Sequence, residues 1–107
     1  MQAACAKHRV NVVLGLSERD GGTLYNSQAF IDEQGRLLGV RRKLQPTLSE
    51  RSVWGQGDGS TLKVYDMPVG KVGGLICGEH SMSLARHALI LQREQLHIAS
   101  WPTFATM

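Results

Sequence analysis

Aromatic residues are scarce in this 107-residue chain: two Trp, two Tyr and two Phe, 6% in all. A single-stranded nucleic-acid surface needs aromatic platforms interleaved with a basic stripe. The net charge of +3 supplies no stripe, because basic residues are scattered and cluster tightly only at Arg41-Arg42-Lys43. We therefore expect no nucleic-acid partner. Long apolar runs are missing too. None approaches the ~20 residues that cross a bilayer. Met1 to Arg9 is too short, and too interrupted by Lys7, His8 and Arg9, for a signal peptide. We expect no membrane partner. Cysteine is limited to Cys5 and Cys77, which make no disulfide framework, so a reduced cytoplasmic setting fits. His8, His80, His87 and His97 show no ligand spacing such as His-Glu-x-x-His, and we expect no metal.

What is present is the material of a folded domain. Hydrophobic residues reach 42% and charged residues 20%, which excludes a disordered chain. Residues 2 to 8 read as the tail of a helix, and Cys5 on it reads as packing. Val10 to Leu16 reads as a strand buried on both faces, and Ser17 to Gly22 as a turn. Thr23 to Ile31 and Arg36 to Arg42 read as strands joined by the hairpin loop Asp32-Glu33-Gln34-Gly35. Leu44 to Ser60 has no periodicity and reads as a long ordered loop anchored by Val53 and Trp54. Leu62 to Asp66 alternates as a strand, Met67 to Gly70 turns, and Lys71 to Ile76 is a strand again. A helix follows from Ser81 to Glu94, capped by Ser81 or Ser83, with Leu84, Ala85, Ala88, Leu89 and Gln92 on its packed stripe. Leu96 to Ser100 is a last strand, broken off at Trp101-Pro102-Thr103. Both ends cut into continuing structure, so we expect a piece of a larger α/β domain.

The chemistry centres on Val72-Gly73-Gly74-Leu75-Ile76-Cys77-Gly78-Glu79-His80. A strand climbs to a cysteine and a helix opens just after it. That order exposes a sulfur at a strand end, near a positive helix terminus that favours the thiolate. The N–H of Gly78 can face a developing oxyanion. Taken alone, Cys77 reads first as a small buried apolar residue, since free Cys is among the most buried residue types. Lys43 alone is a surface base, but it ends a strand and opens the long loop, where a lysine can stabilise a thiolate or an oxyanion. Glu50, seven residues on, is a solvated carboxylate unless the loop folds over the site. There it could orient Lys43 or shuttle protons. Glu79 reads as a first-turn carboxylate complementing the helix dipole.

Three motifs resemble the nitrilase superfamily. Arg42-Lys43-Leu44-Gln45-Pro46-Thr47, with Glu50-Arg51 and Val53-Trp54-Gly55-Gln56-Gly57-Asp58-Gly59-Ser60, resembles its lysine motif, specifically that of the nitrilase branch. Gly73 to His80 is similar to its nucleophile elbow, and Glu18 to Asn26 to its hairpin entry. The resemblance covers essentially residues 1–107 and implies the middle portion of an αββα sandwich, incomplete at both ends. It implies Cys77 as nucleophile, Lys43 as stabiliser of the oxyanion and intermediate, Glu50 as the second glutamate, and no cofactor. It places the general-base glutamate upstream of this chain and gives Glu18 no such role. It implies a small-molecule nitrile substrate, a homo-oligomer, and a 107-residue piece that is inactive alone. Gly78-Glu79-His80 departs from the Trp-Glu-Asn or Trp-Glu-His of many nitrilases, which bears on substrate range. The alternatives are an amidase, a cyanide-degrading relative, or a noncatalytic folded remnant or interaction module.

Overall fold

A computed structural model describes residues 1–101 of the chain. Helix α1 (Gln2–His8) leads into β1 (Val12–Asp20), β2 (Thr23–Ile31) and β3 (Leu37–Arg42). These form one antiparallel sheet in the order β1-β2-β3. A second sheet holds β4 (Tyr65–Met67), β5 (Gly70–Ile76) and β6 (Leu96–Ser100), with β5 and β6 parallel and joined through α2 (Ser83–Leu91). The break expected at Trp101-Pro102-Thr103 runs into residues 102–107, outside the described residues.

The sheets face each other across Phe30, Met67 and Val72, with Val13, Leu38, Tyr65 and Ile98 packed around them. A second cluster, Leu75, Ala85 and Leu89, seals α2 onto the outer face of the second sheet. Helix, sheet, sheet is thus the layer order on this side, as the sandwich expectation requires. Polar stitching completes the sheet-to-sheet contact. Gln28 is fully buried and its Nε2 donates to Ser100 Oγ at 2.7 Å and to the Ile98 carbonyl at 3.3 Å.

Several expected elements shift. β1 does not stop at Leu16. Its polar half, Ser17 to Asp20, stays paired with Thr23 to Asn26, and only Gly21-Gly22 turns. Nor is β1 buried on both faces: it is an edge strand, its residues half-buried or exposed, and Val10 before it is exposed. The Asp32–Gly35 hairpin loop is as expected, with Gly35 at φ 79 and Asp32 Oδ1 accepting from the Gln34 and Arg36 N–H groups. The strand expected at Leu62 begins only at Tyr65. Leu62 and Val64 instead face the α2 cluster, and the Gln92 side chain takes their backbone groups.

The helix expected over Ser81 to Glu94 divides. A 3-10 turn covers Cys77–Ser81, and α2 starts at Ser83 with Met82 as its uncapped entry. Ser81 caps nothing; its hydroxyl donates to the Gly78 carbonyl at 2.7 Å. α2 ends early because Arg93 turns left-handed at φ 62. The Glu94 N–H then closes on Leu89 and the Arg93 N–H on Ile90, a Schellman closure with arginine in the usual glycine place. Leu84 points away from the packed stripe and is exposed. No helix among the described residues is long and apolar enough to cross a membrane.

Candidate active site

β5 carries five consecutive buried residues, Val72 to Ile76, and delivers Cys77 to the edge of the sheet interface. There the chain must switch from strand to 3-10 turn within one residue. Cys77 takes that switch at φ 49, a left-handed conformation that costs a non-glycine residue about 1–3 kcal/mol. The thiol is partly accessible, whereas Cys5 is 1% exposed. Cys77 therefore sits on a strained, half-buried elbow, while Cys5 fills the packing role expected of it. The nearby helix dipole is weaker than expected, since a five-residue 3-10 helix starts at Cys77 itself and α2 begins only at Ser83.

Lys43 is no surface residue. Strand alternation puts Arg41 and Lys43 on one face, and both are buried. The Lys43 ammonium, wholly shielded from water, donates to Glu50 Oε2 at 2.6 Å and to Thr47 Oγ1 at 3.2 Å. Glu50 belongs to a 3-10 turn, Leu48–Ser52, and its Oε2 also accepts from the Thr47 N–H at 2.7 Å. Burial pushes the Glu50 carboxyl upward. The Lys43 hydrogen bond, the Thr47 N–H and the ammonium charge outweigh it and hold the carboxyl below its ordinary value. Glu50 is thus an ionised orienter of Lys43, and the loop does fold over the site.

The glycines of the Trp54-to-Ser60 run explain how. The Gly55 N–H donates to Leu24 O at 2.7 Å, and the Gly57 N–H to Lys43 O at 2.9 Å. A Cβ on Gly57 would lie 2.7 Å from that same carbonyl, so only glycine lets the loop lie against Lys43. Trp54 anchors the run, its indole N–H donating to Ser17 Oγ at 3.1 Å. Val53 is exposed and anchors nothing.

The lysine loop meets the elbow at Gly78, whose Cβ position would be 3.0 Å from Thr47 Oγ1. Thr47 thus touches both the Lys43 ammonium and the residue after Cys77. Gly78 lies in the first turn of its 3-10 helix, where N–H groups have no intrahelical acceptor. Beside this junction a cavity of about 310 Å³ opens between the sheets, lined by Asn26, Ser27, Glu50, Ile76, Ser100 and Trp101 among others. A larger groove of about 480 Å³ lies outside the loop, against Gln45, Pro46, Arg51 and Trp54, and contains none of the candidate residues.

Glu79 keeps its expected first-turn place, in the 3-10 helix, but its carboxylate is not spent on the helix dipole alone. It is 1% exposed and pairs with the fully buried Arg41 through two 2.6 Å bonds. Sequence reasoning missed Arg41 and Thr47. The alternation that buries Lys43 was the available signal for Arg41; Thr47 had none beyond its place in the motif. Glu18 is engaged elsewhere. It accepts from Ser27 Oγ and from Arg42 Nε and Nη2, and the Arg42 bonds hold its carboxyl below the ordinary value despite burial. Behind the elbow, His80 Nδ1 donates to the Cys77 carbonyl at 2.7 Å. His80 Nε2 meets His97 Nε2 at 3.0 Å, so one proton is shared on that line, and Trp101 stacks on the His80 ring.

This arrangement supplies a thiol nucleophile, a buried cation fixed by a carboxylate, and free N–H groups where negative charge would appear. Comparison with known proteins bears on the family and the fold. The family profile described as Carbon-nitrogen hydrolase matches residues 1–107. An aliphatic nitrilase from Rhodococcus rhodochrous is 52% identical over 99 residues, covering 92% of this chain and 27% of that one. An arylacetonitrilase from Aspergillus niger is 48% identical over 100 residues, covering 92% of this chain and 30% of that one. The chain thus spans less than a third of these relatives. Among solved structures, a carbon-nitrogen hydrolase from Helicobacter pylori G27 superposes with a TM-score of 0.83 at 24% identity, over 98% of this chain and 38% of that one. An amidase from Nesterenkonia sp. AN1 gives 0.81 at 16% identity, over 94% of this chain and 40% of that one. At these identities the superpositions speak for the fold.

Proposed function

The chain belongs to the carbon-nitrogen hydrolase family, and from that premise we propose that the full-length protein hydrolyses nitriles to a carboxylic acid and ammonia. The observation that carries this reading is the Thr47–Gly78 junction. It sets the strained Cys77 against the loop that buries Lys43 and aims it through the half-buried Glu50. The surrounding segment is about half identical to curated nitrilases.

The Cys77 thiolate attacks the nitrile carbon, forming a C–S bond while the nitrogen takes an electron pair and then a proton. The product is a thioimidate. Water adds to the same carbon, the C–N bond breaks, and ammonia leaves a thioester. A second water cleaves the C–S bond, releasing the acid and restoring the thiol. Lys43 stabilises the negative charge at each addition, and the Gly78 N–H supports it from the elbow side. Glu50 keeps the ammonium aimed. The general base comes from the part of the protein outside these 107 residues. The route needs no metal or other cofactor.

Amide hydrolysis through the same thioester is the second reading. The fold shared with the Nesterenkonia amidase favours it, but at 16% identity against 52% for the Rhodococcus nitrilase. The full-length protein assayed on matched nitrile and amide pairs decides between them. Nitrile turnover that exceeds amide turnover, and disappears in Cys77→Ser, supports the proposal. Amide turnover alone overturns it. The proposal also includes a homo-oligomer of the full-length protein, which the family resemblance implies. A reduced cytoplasmic setting is supported by two free cysteines.

A further inference from the structure

We propose that Glu79 and Arg41 are positioning residues that fix the distance between the nucleophile and its cation. The proposal rests on Cys77 and Lys43 acting as described above. Glu79 Oε1 accepts from the Ile76 N–H at 2.8 Å, and Oε2 from the Leu44 N–H at 2.8 Å. Ile76 is the peptide neighbour of Cys77, and Leu44 is the peptide neighbour of Lys43. One carboxylate therefore holds the backbones of both active residues, each at the end of a strand in a different sheet.

Arg41 fixes that carboxylate in turn. Nη1 and Nη2 take one oxygen each at 2.6 Å, a planar two-point grip that sets angle as well as distance. The same nitrogens reach back to Gly74 O at 3.3 Å on β5 and to Arg42 O at 3.0 Å on β3. Both side chains are fully excluded from water. The Arg41 Nε is buried without a partner among the described residues, so the guanidinium is placed for the grip at the expense of its own hydrogen bonding. A buried ion pair is weak evidence of stability, because apolar residues of similar volume often serve as well or better. Here it sets geometry. Glu79 bonds Ile76 across Cys77, and that short closure holds Cys77 in its left-handed conformation, which persists only where its surroundings over-determine it.

Glu79→Gln would leave the guanidinium buried beside an amide and tests folding more than position. Two other variants of the full-length protein are better. Glu79→Asp keeps the charge but draws the carboxylate back by one methylene. The double variant Arg41→Met with Glu79→Met removes both charges and keeps the volume. Each is measured for melting temperature, for kcat and KM on a nitrile, and for the rate at which iodoacetamide alkylates Cys77. We expect folded proteins with KM little changed and kcat down on the order of 100-fold, the effect of moving a reacting group by about 1 Å. Cys77 alkylation slows in parallel. Folded variants with near-normal kcat and alkylation would reduce the pair to packing. So would a kcat deficit that follows the melting temperature and vanishes when the assay is cooled. Slower alkylation in the variants, with no nitrile turnover even by the unmodified protein, would sink the nitrilase reading and leave the positioning role standing.

Discussion

Lys43 and Glu50 are seven positions apart, yet each is the other's main partner, with a carboxylate oxygen 2.6 Å from the ammonium. In the unfolded chain Glu50 takes up its proton near pH ~4.3. In the folded chain it does so at lower pH, because Lys43 and the Thr47 N–H favour the charged form more than burial opposes it. The pair therefore contributes stability at every pH above ~4.3 and loses it as pH falls through the lowered folded value. Glu50→Gln should melt below the unmodified protein at neutral pH, by about 3 kcal/mol of stability, since it strands a buried ammonium. Melting curves recorded during acidification should bring the two proteins together; a gap that widens in acid would reverse the assignment. Lys43→Ala should abolish nitrile turnover and Lys43→Arg should restore little of it, because the planar guanidinium cannot replace a compact ammonium in a closed site. Near-normal rates for the alanine variant would remove Lys43 from the chemistry. In the folded protein iodoacetamide should reach the accessible Cys77 before the buried Cys5, which peptide mapping would show. The resemblance of the motifs singled out Cys77, Lys43 and Glu50, and left the orienting role of Glu50 open on whether its loop folds over Lys43, which it does. The Arg41–Glu79 bond was not. It joins residues 38 positions apart, and a charged residue on a strand looks solvated until the facing sheet is in place.

At the scale of elements, the loop from Leu44 to Ser60 shows how glycine placement makes a site. Gly57 and Gly59 look interchangeable in sequence, but their surroundings differ. A Cβ on Gly57 meets the Lys43 carbonyl at 2.7 Å and Arg42 Cβ at 2.9 Å, whereas one on Gly59 meets nothing within 4 Å. Gly57→Ala should lower stability by about 1–3 kcal/mol, as overpacking against backbone does, and should slow turnover by moving Lys43. Gly59→Ala should leave both within error. Equal effects in thermal melts would mean that the loop does not rest on Lys43. The hairpin of β2 and β3, the strand before Cys77 and the final strand were all readable from apolar alternation and turn residues. The end of α2 was not readable, because Arg93 occupies the left-handed closing position where glycine is the usual signal. The start of β4 escaped for another reason: Leu62 and Val64 alternate like a strand but spend their side chains on α2.

At the scale of the whole molecule, two three-stranded sheets expose strand edges, and α2 exposes Leu84, Ile90 and Leu91. Such edges and apolar surface recruit further protein. The 107-residue chain on its own should therefore self-associate. Size-exclusion chromatography with light scattering should find it above its 11.7 kDa monomer mass, and a sharp monomer peak with cooperative melting would contradict this. The shared carboxylate of Glu79 has a consequence for how the molecule opens. The amides of Leu44 and Ile76 lie 32 residues apart, one just past β3 and one at the end of β5, yet each is held by one oxygen of the same carboxylate. Neither can exchange its hydrogen with solvent unless that carboxylate lets go, so in heavy water the two should exchange at a common rate. Local breathing of either sheet alone would spare both. The backbones beside Cys77 and Lys43 are thus tied to one another only once the two sheets have closed together.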